Sequence, residues 1–102
     1  MSRTVDPMIA MLAATKMALR ITTNAFDDEL KDLINAGLAD LGIAGVTEQS
    51  TENMLVRRAV ITYVKMHFGE PDEYERIKAS YDEQKAQMSM ATGYTQWTEA
   101  TS

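Results

Sequence analysis

The chain has 102 residues, 45% of them apolar, with no cysteine and a formal net charge of −5. This length predicts one domain with a modest core, and a domain so small buries little of its surface, which favours assembly with copies of itself. The composition excludes disulfides and thiolate metal sites, offers no apolar run near the roughly 20 residues that span a bilayer, and disfavours tight binding to nucleic-acid phosphates.

The first predicted helix covers residues 8–19, with Asp6 as its N-cap and Pro7 in its first turn. Its only clearly polar residues are Thr15 and Lys16, so it has almost no hydrophilic face. A helix that is apolar nearly all round needs burial on several sides. Two interpretations remain open: a central helix of the fold, or a helix that also contacts other subunits. The candidate interface on this helix, for further subunits or another partner, comprises Met8, Ile9, Met11 and Leu12.

An acidic cluster opens the second predicted helix, with Asp27, Asp28, Glu29 and Asp32 inside six positions. Thr23 or Asn24 is expected to cap this helix, and acidic side chains in a first turn are stabilised by the positive end of the helix dipole. Asp27 is also placed to pair with Lys31 at i,i+4. No histidine lies nearby to complete a metal site. The cluster is therefore interpreted as a helix start rather than a metal or catalytic site.

Apolar spacing predicts the rest of the second helix and two more. The second helix carries one apolar stripe and ends near Gly42 or Gly45, either of which suits a left-handed C-cap. A third helix is expected over residues 52–68, capped by Ser50 or Thr51. Its predicted core side is Met54, Leu55, Ala59, Val60, Tyr63, Val64 and Phe68. A fourth helix within residues 69–88 carries a narrow stripe of Tyr74, Ile77, Tyr81 and Met88.

Residues 89–102 differ in composition from everything before them. They contain Gly93, four threonines and two serines, without core periodicity, and this predicts a flexible C-terminal arm. The arm nevertheless carries Tyr94 and the single tryptophan, Trp97. Aromatic side chains in a polar segment often anchor a partner, so both join the candidate interface; a solvated end is the alternative.

Residues that would carry catalysis are not apparent. The one histidine, His67, has apolar neighbours in sequence and is interpreted as structural. No phosphate-binding or dinucleotide-binding glycine motif occurs, and no nucleophile elbow. We expect no enzyme activity, no cofactor and no metal. The predicted fold is all-α: a small bundle of about four helices over residues 1–88, followed by the arm at 89–102.

Several short motifs follow one another along the chain, at residues 19–21, 26–30, 44–46, 59–65 and 68–69 and at Tyr81. Their order and spacing resemble the head–tail connector proteins of long-tailed phages, also called head-completion or neck adaptor proteins. The resemblance spans about residues 10–88. Each motif is weak alone, but their order and spacing together are fairly specific.

The resemblance implies a structural protein of the virion neck, made in the host cytoplasm. Such subunits form a homo-oligomeric ring, roughly a dodecamer, beneath the portal protein. The ring extends the DNA channel and offers a docking surface to the next neck or tail-completion protein. DNA would then pass through the channel without being bound, and no membrane is involved. An acidic channel wall would not bind the DNA phosphates.

Two other functions remain as alternatives. A small helical DNA-binding regulator would need a basic recognition helix, for which Arg57 and Arg58 are the candidates. A metal-dependent hydrolase would need the acids of the second helix and His67 to converge.

Overall fold

The computed structural model describes residues 6–46, 50–51, 53–69 and 71–90, which form four helices joined by short connections. The prediction of an all-α bundle of four helices is confirmed. The division into a domain ending at residue 88 and an arm stays a prediction, although the last helix runs to residue 90. The helices are α1 (Pro7–Leu19), α2 (Asp27–Ile43), α3 (Met54–His67) and α4 (Tyr74–Met90).

The beginnings of α1 and α2 differ in how well local sequence predicted them. Asp6 caps α1 as expected, its Oδ1 accepting a hydrogen bond from the Met8 backbone at 2.9 Å. The predicted caps of α2 are wrong, because Phe26 occupies the N-cap position without a side-chain hydrogen bond. Thr23 accepts instead from the Ala25 backbone at 3.1 Å. The acidic first turn of α2 is confirmed, and the helix dipole stabilises it.

The start of α3 also corrects the sequence prediction. Asn53 is the N-cap, and its Oδ1 accepts from the Leu55 and Val56 backbones at 2.9 and 3.2 Å. Met54 and Leu55, expected in the core, are exposed, because the buried stripe of α3 begins at Val56. Met54 lies about 200° around the helix from Val56, since each residue advances about 100°.

A close approach between α2 and α3 organises the bundle. Gly37 lies on the buried face of α2, and a Cβ there would stand 3.1 Å from Cδ1 of Tyr63 on α3. Phe26, at the N-terminal end of α2, and Phe68, at the C-terminal end of α3, meet edge to face with ring centroids 5.4 Å apart. The two contacts show that α2 and α3 run antiparallel, and a glycine allows the Tyr63 ring to lie against the α2 backbone.

The connection after α2 depends on a second glycine. Gly45 has a φ of +97°, in the left-handed region that favours glycine. Of the two predicted C-cap candidates, Gly42 and Gly45, it is therefore Gly45 that turns the chain. The Val46 backbone then donates to the Leu41 carbonyl at 2.9 Å and Val46 is buried. This turn reverses the chain and leads towards α3.

The core is shared by all four helices. α1 packs on α2 and α3, and α4 packs on α3. The Lys16 to Asp27 ion pair at 2.8 Å joins the end of α1 to the start of α2. Met8, near the start of α1, lines a cleft together with Leu38, further along α2, so these two helices are also antiparallel. The buried polar Thr15 is satisfied by donating to the Met11 carbonyl at 2.8 Å. The fully buried apolar side chains include Met11, Leu30, Ile34, Leu41, Val56, Val60 and Val64.

We predict that Gly37→Val destabilises the fold by about 2 kcal/mol, because the added methyl groups collide with the Tyr63 ring and overpack the α2–α3 contact. Ala39→Val, on the exposed side of the same helix, is the matched control and should change stability by less than about 0.5 kcal/mol. Urea unfolding followed by circular dichroism measures both. Equal losses in the two variants would contradict the close contact.

Candidate assembly surface

The four residues of α1 predicted to form an interface do not share one environment. Met11 is fully buried and Leu12 nearly so, both in the core of their own chain. Met8 is half-buried and lines an open cleft of about 420 Å³ between α1 and α2. Ile9 is 58% exposed. The interface role of this set stays a prediction, and Ile9 is its most exposed member.

The exposed side of α1 carries Ile9 and two apolar residues that the sequence prediction did not select, Ala13 and Met17. Ile9, Ala13 and Met17 follow one another at intervals of four and are all exposed, with Met17 80% accessible. Residues four apart lie on one face of a helix. We call this set the α1 outer stripe. Because α1 is apolar nearly all round, its sequence could not show which side faces the core.

The C-terminal end of α1 is cationic. Lys16 pairs with Asp27 and also donates to Asn24 Oδ1 at 2.8 Å, so this cation is held within the subunit. Arg20 follows in the left-handed conformation, with φ of 62°, and is exposed. It forms no ion pair with any residue in the described ranges. Arg20 thus presents an unpaired positive charge at one end of the α1 outer stripe.

The acidic start of α2 does not form a chelating cluster. Asp27 pairs with Lys16 rather than with the predicted partner Lys31. Asp28 and Asp32 point to solvent. Within the part of the chain that the structure describes, no group of three acidic or histidine side chains is arranged to hold a metal ion. What these carboxylates provide is a negatively charged outer surface on α2.

One polar cluster ties α4 to α2. The Tyr81 hydroxyl donates to Oδ2 of Asp40 at 2.5 Å, and Lys85 Nζ donates to the same oxygen at 3.1 Å. The Lys85 ammonium also lies 5.0 Å from the centroid of the Tyr81 ring, a favourable cation–π distance. Sequence reasoning placed Tyr81 in the α4 stripe but did not find this bond, because its partner lies 41 positions away.

The protonation states of this cluster indicate a structural role, that of holding α4 against α2. Burial and the hydrogen bond to Asp40 raise the pKa of Tyr81 well above its ordinary value, so the phenol stays protonated and donates. Burial acts to raise the pKa of Asp40, but the hydrogen bonds from Tyr81 and Lys85 outweigh it and hold that pKa below 3.8. Tyr81 is 1% exposed and cannot reach a substrate. The cluster stabilises the docking of α4.

The remaining candidates for chemistry or DNA binding, His67, Arg57 and Arg58, differ in how far each is exposed. His67 is exposed rather than enclosed by apolar neighbours, and its ring lies 4.4 Å from that of Tyr63. Arg57 is half-buried and its Nε donates to the Thr51 carbonyl at 3.0 Å, whereas Arg58 is exposed. The interface residues predicted in the arm, at positions 94 and 97, lie outside the described residues.

Comparison with known proteins identifies a family. A family model described as "Phage connector protein" matches residues 11–95, which include most of α1 and all of α2, α3 and α4. The chain belongs to the phage connector protein family. No curated protein and no solved structure shows a significant match. None of the helices in the described ranges has both the length and the apolar character needed to cross a membrane.

We predict that Asp40→Asn lowers stability at pH 7 by about 1–2 kcal/mol, because it removes a charge-assisted hydrogen bond and an ion pair. The folded-state pKa of Asp40 is depressed, so its contribution is present above pH 4 and is lost as the pH falls through the folded pKa. The difference between wild type and Asp40→Asn should therefore shrink towards pH 2.

Urea unfolding at pH 7, 4 and 2.5 tests this dependence. Asp82→Asn is the matched control, since Asp82 makes an exposed i,i+4 pair with Lys78 at 2.9 Å that contributes little. If the difference in unfolding free energy between wild type and Asp40→Asn does not change with pH, the Asp40 contact does not act through its charge.

Proposed function

We propose that this chain is a structural head–tail connector subunit that forms a homo-oligomeric ring beneath a phage portal protein. The ring extends the DNA channel and offers its far side to the next neck or tail-completion protein. Membership of the phage connector family is the observation that carries this proposal. The subunit acts by assembly and carries out no catalysis.

The exposed apolar side of α1 supports a role in assembly. Ile9 and Met17 lie on one helix face and are more than half exposed, with Ala13 between them. Contiguous exposed apolar surface marks contact sites, whereas isolated exposed apolar residues are common. A small domain that leaves such a stripe uncovered gains stability when a partner covers it.

The charge balance supports passage of DNA rather than its capture. The chain has 15 acidic and 10 basic residues, and Lys16, Lys78 and Lys85 are engaged in ion pairs within the subunit. Tight non-specific binding to DNA requires several free cations that neutralise phosphates. A ring with this composition would line or flank a channel without holding the DNA.

A DNA-binding regulator is the alternative, and α3 is the helix on which it depends. One of its two candidate cations, Arg57, is half-buried and bonded to the Thr51 carbonyl. Val56, Ala59, Val60 and Val64 commit another face of α3 to the core. Exposed Arg58 and Lys65 alone give a small basic surface. The connector function is therefore preferred.

We predict that the purified protein, mixed with the portal protein of the same phage, forms a ring stacked coaxially on the portal. Electron microscopy of the mixture and its native mass measure this. Met17→Glu should weaken ring formation at least tenfold, because it places a charge in an apolar contact. Gln87→Glu, an equal charge change at an exposed position of α4, should leave the ring intact.

The same preparation distinguishes the alternative. At about 150 mM salt, purely electrostatic binding to DNA is already weak. If the protein does not bind the portal but retards duplex DNA under these conditions, the regulator function replaces the connector function.

We further propose that the C-terminal arm docks on a ring neighbour or the portal through Tyr94 and Trp97. Trp97 is the only tryptophan, so its fluorescence reports the arm directly. We expect a blue shift on assembly, and weaker portal binding after replacement of both aromatics by serine. A chain truncated after Met90 that assembles on the portal as well as the full chain does would exclude this role.

A further inference from the structure

Two exposed helix faces of the subunit have complementary character. The α1 outer stripe ends in the unpaired cation Arg20. A second face, which we call the α2 outer stripe, comprises Asp32, Asn35, Ala39 and Ile43. All four are exposed, and Ile43 is 85% accessible. Asp32 makes no ion pair with the described residues, so each stripe has an apolar end and an unpaired charge of opposite sign.

The spacing of the two stripes matches when they are laid antiparallel. Ile9 and Arg20 are eleven residues apart, and so are Ile43 and Asp32. At 1.5 Å per residue, Ile43 and Asp32 lie about 17 Å apart along α2, and Ile9 and Leu19, the last helical residue before Arg20, lie about 15 Å apart along α1. Ala13 and Ala39 each lie four residues from the isoleucine of their stripe, at the same level. Small residues at this level allow two helices to approach to about 8 Å.

We propose that, in the ring, the α1 outer stripe of one copy packs antiparallel on the α2 outer stripe of the next copy. Ile9 then meets Ile43, Ala13 meets Ala39, and Arg20 pairs with Asp32 across the contact. Met17 covers the α2 surface around Asn35. This inference rests on the proposed ring and names the surfaces that build it. Because the two stripes lie on different helices, the contact is head-to-tail and can close into a ring.

The outer faces of the other two helices fit the α1 outer stripe less well. The exposed side of α3 carries Arg58 and Lys65, which would repel Arg20. On α4, antiparallel packing that aligns Ile9 with Met90 would set the apolar Met17 opposite Asp82, whose carboxylate already pairs with Lys78. The α2 outer stripe brings apolar groups together and also neutralises both free charges.

Cysteine cross-linking tests the contact, because the chain has no cysteine of its own. One preparation carries Ala13→Cys and a second carries Ala39→Cys, so only contacts between copies can join position 13 to position 39. Mixed on the portal and oxidised, the two should give a disulfide-linked heterodimer, since helices in close contact bring Cα atoms within about 6 Å. Ser80→Cys, exposed on α4, replaces Ala39→Cys as the control and should give none.

Charge reversal provides an independent readout. Arg20→Glu and Asp32→Arg should each weaken ring formation about tenfold, since each sets like charges opposite one another. The chain that carries both substitutions restores the pair with its signs exchanged and should assemble within about threefold of wild type. Circular dichroism verifies that all three variants keep the fold.

The outcomes separate this inference from the proposed function. A ring on the portal without the 13–39 cross-link, or without rescue by the double reversal, overturns the α1–α2 contact and leaves the connector function standing. A native mass of two subunits with the cross-link present shows a closed dimer and overturns the head-to-tail ring. No assembly with the portal at any concentration overturns both.

Discussion

The Tyr63 ring is the contact on which the rest of the bundle depends. It lies against the backbone of α2 at Gly37 and meets Tyr81 of α4 with ring centroids 5.5 Å apart. One side chain of α3 therefore positions the helices on both sides of it. Since interiors are packed as densely as organic crystals, a change at this point is transmitted to α2 and α4 together.

From this centre, α4 is held by few buried apolar residues. Its buried residues are Tyr81 and Met88, and its other faces are polar. The bond from Tyr81 to Asp40, supported by Lys85, supplies part of what apolar burial does not. A charge-assisted hydrogen bond is stronger than a neutral one, and partial burial reduces its competition with water. A helix with little apolar burial is thus also attached through a charge-assisted hydrogen bond.

The opposite situation holds at α1, which has more apolar surface than one small domain can bury. Met11 and Leu12 enter the core, and Ile9, Ala13 and Met17 remain outside it. A chain of this size cannot surround a helix on all sides, because its surface is large relative to its volume. The surplus apolar face, together with Arg20 and Asp32, which form no ion pair with the described residues, is the surface on which the proposed ring contact depends.

The sequence by itself determined what depends on neighbouring residues. The number of helices, the Asp6 and Pro7 start of α1 and the acidic first turn of α2 follow from local spacing and capping, and the motif order led to the connector family. Tertiary structure alone decided which side of α1 faces out, since an all-round apolar helix has no period to orient it. It also decided that Asp27 pairs with Lys16 and Asp40 with Tyr81. Each of those pairs joins two different helices, and only the packing of the helices into the bundle brings the partners together.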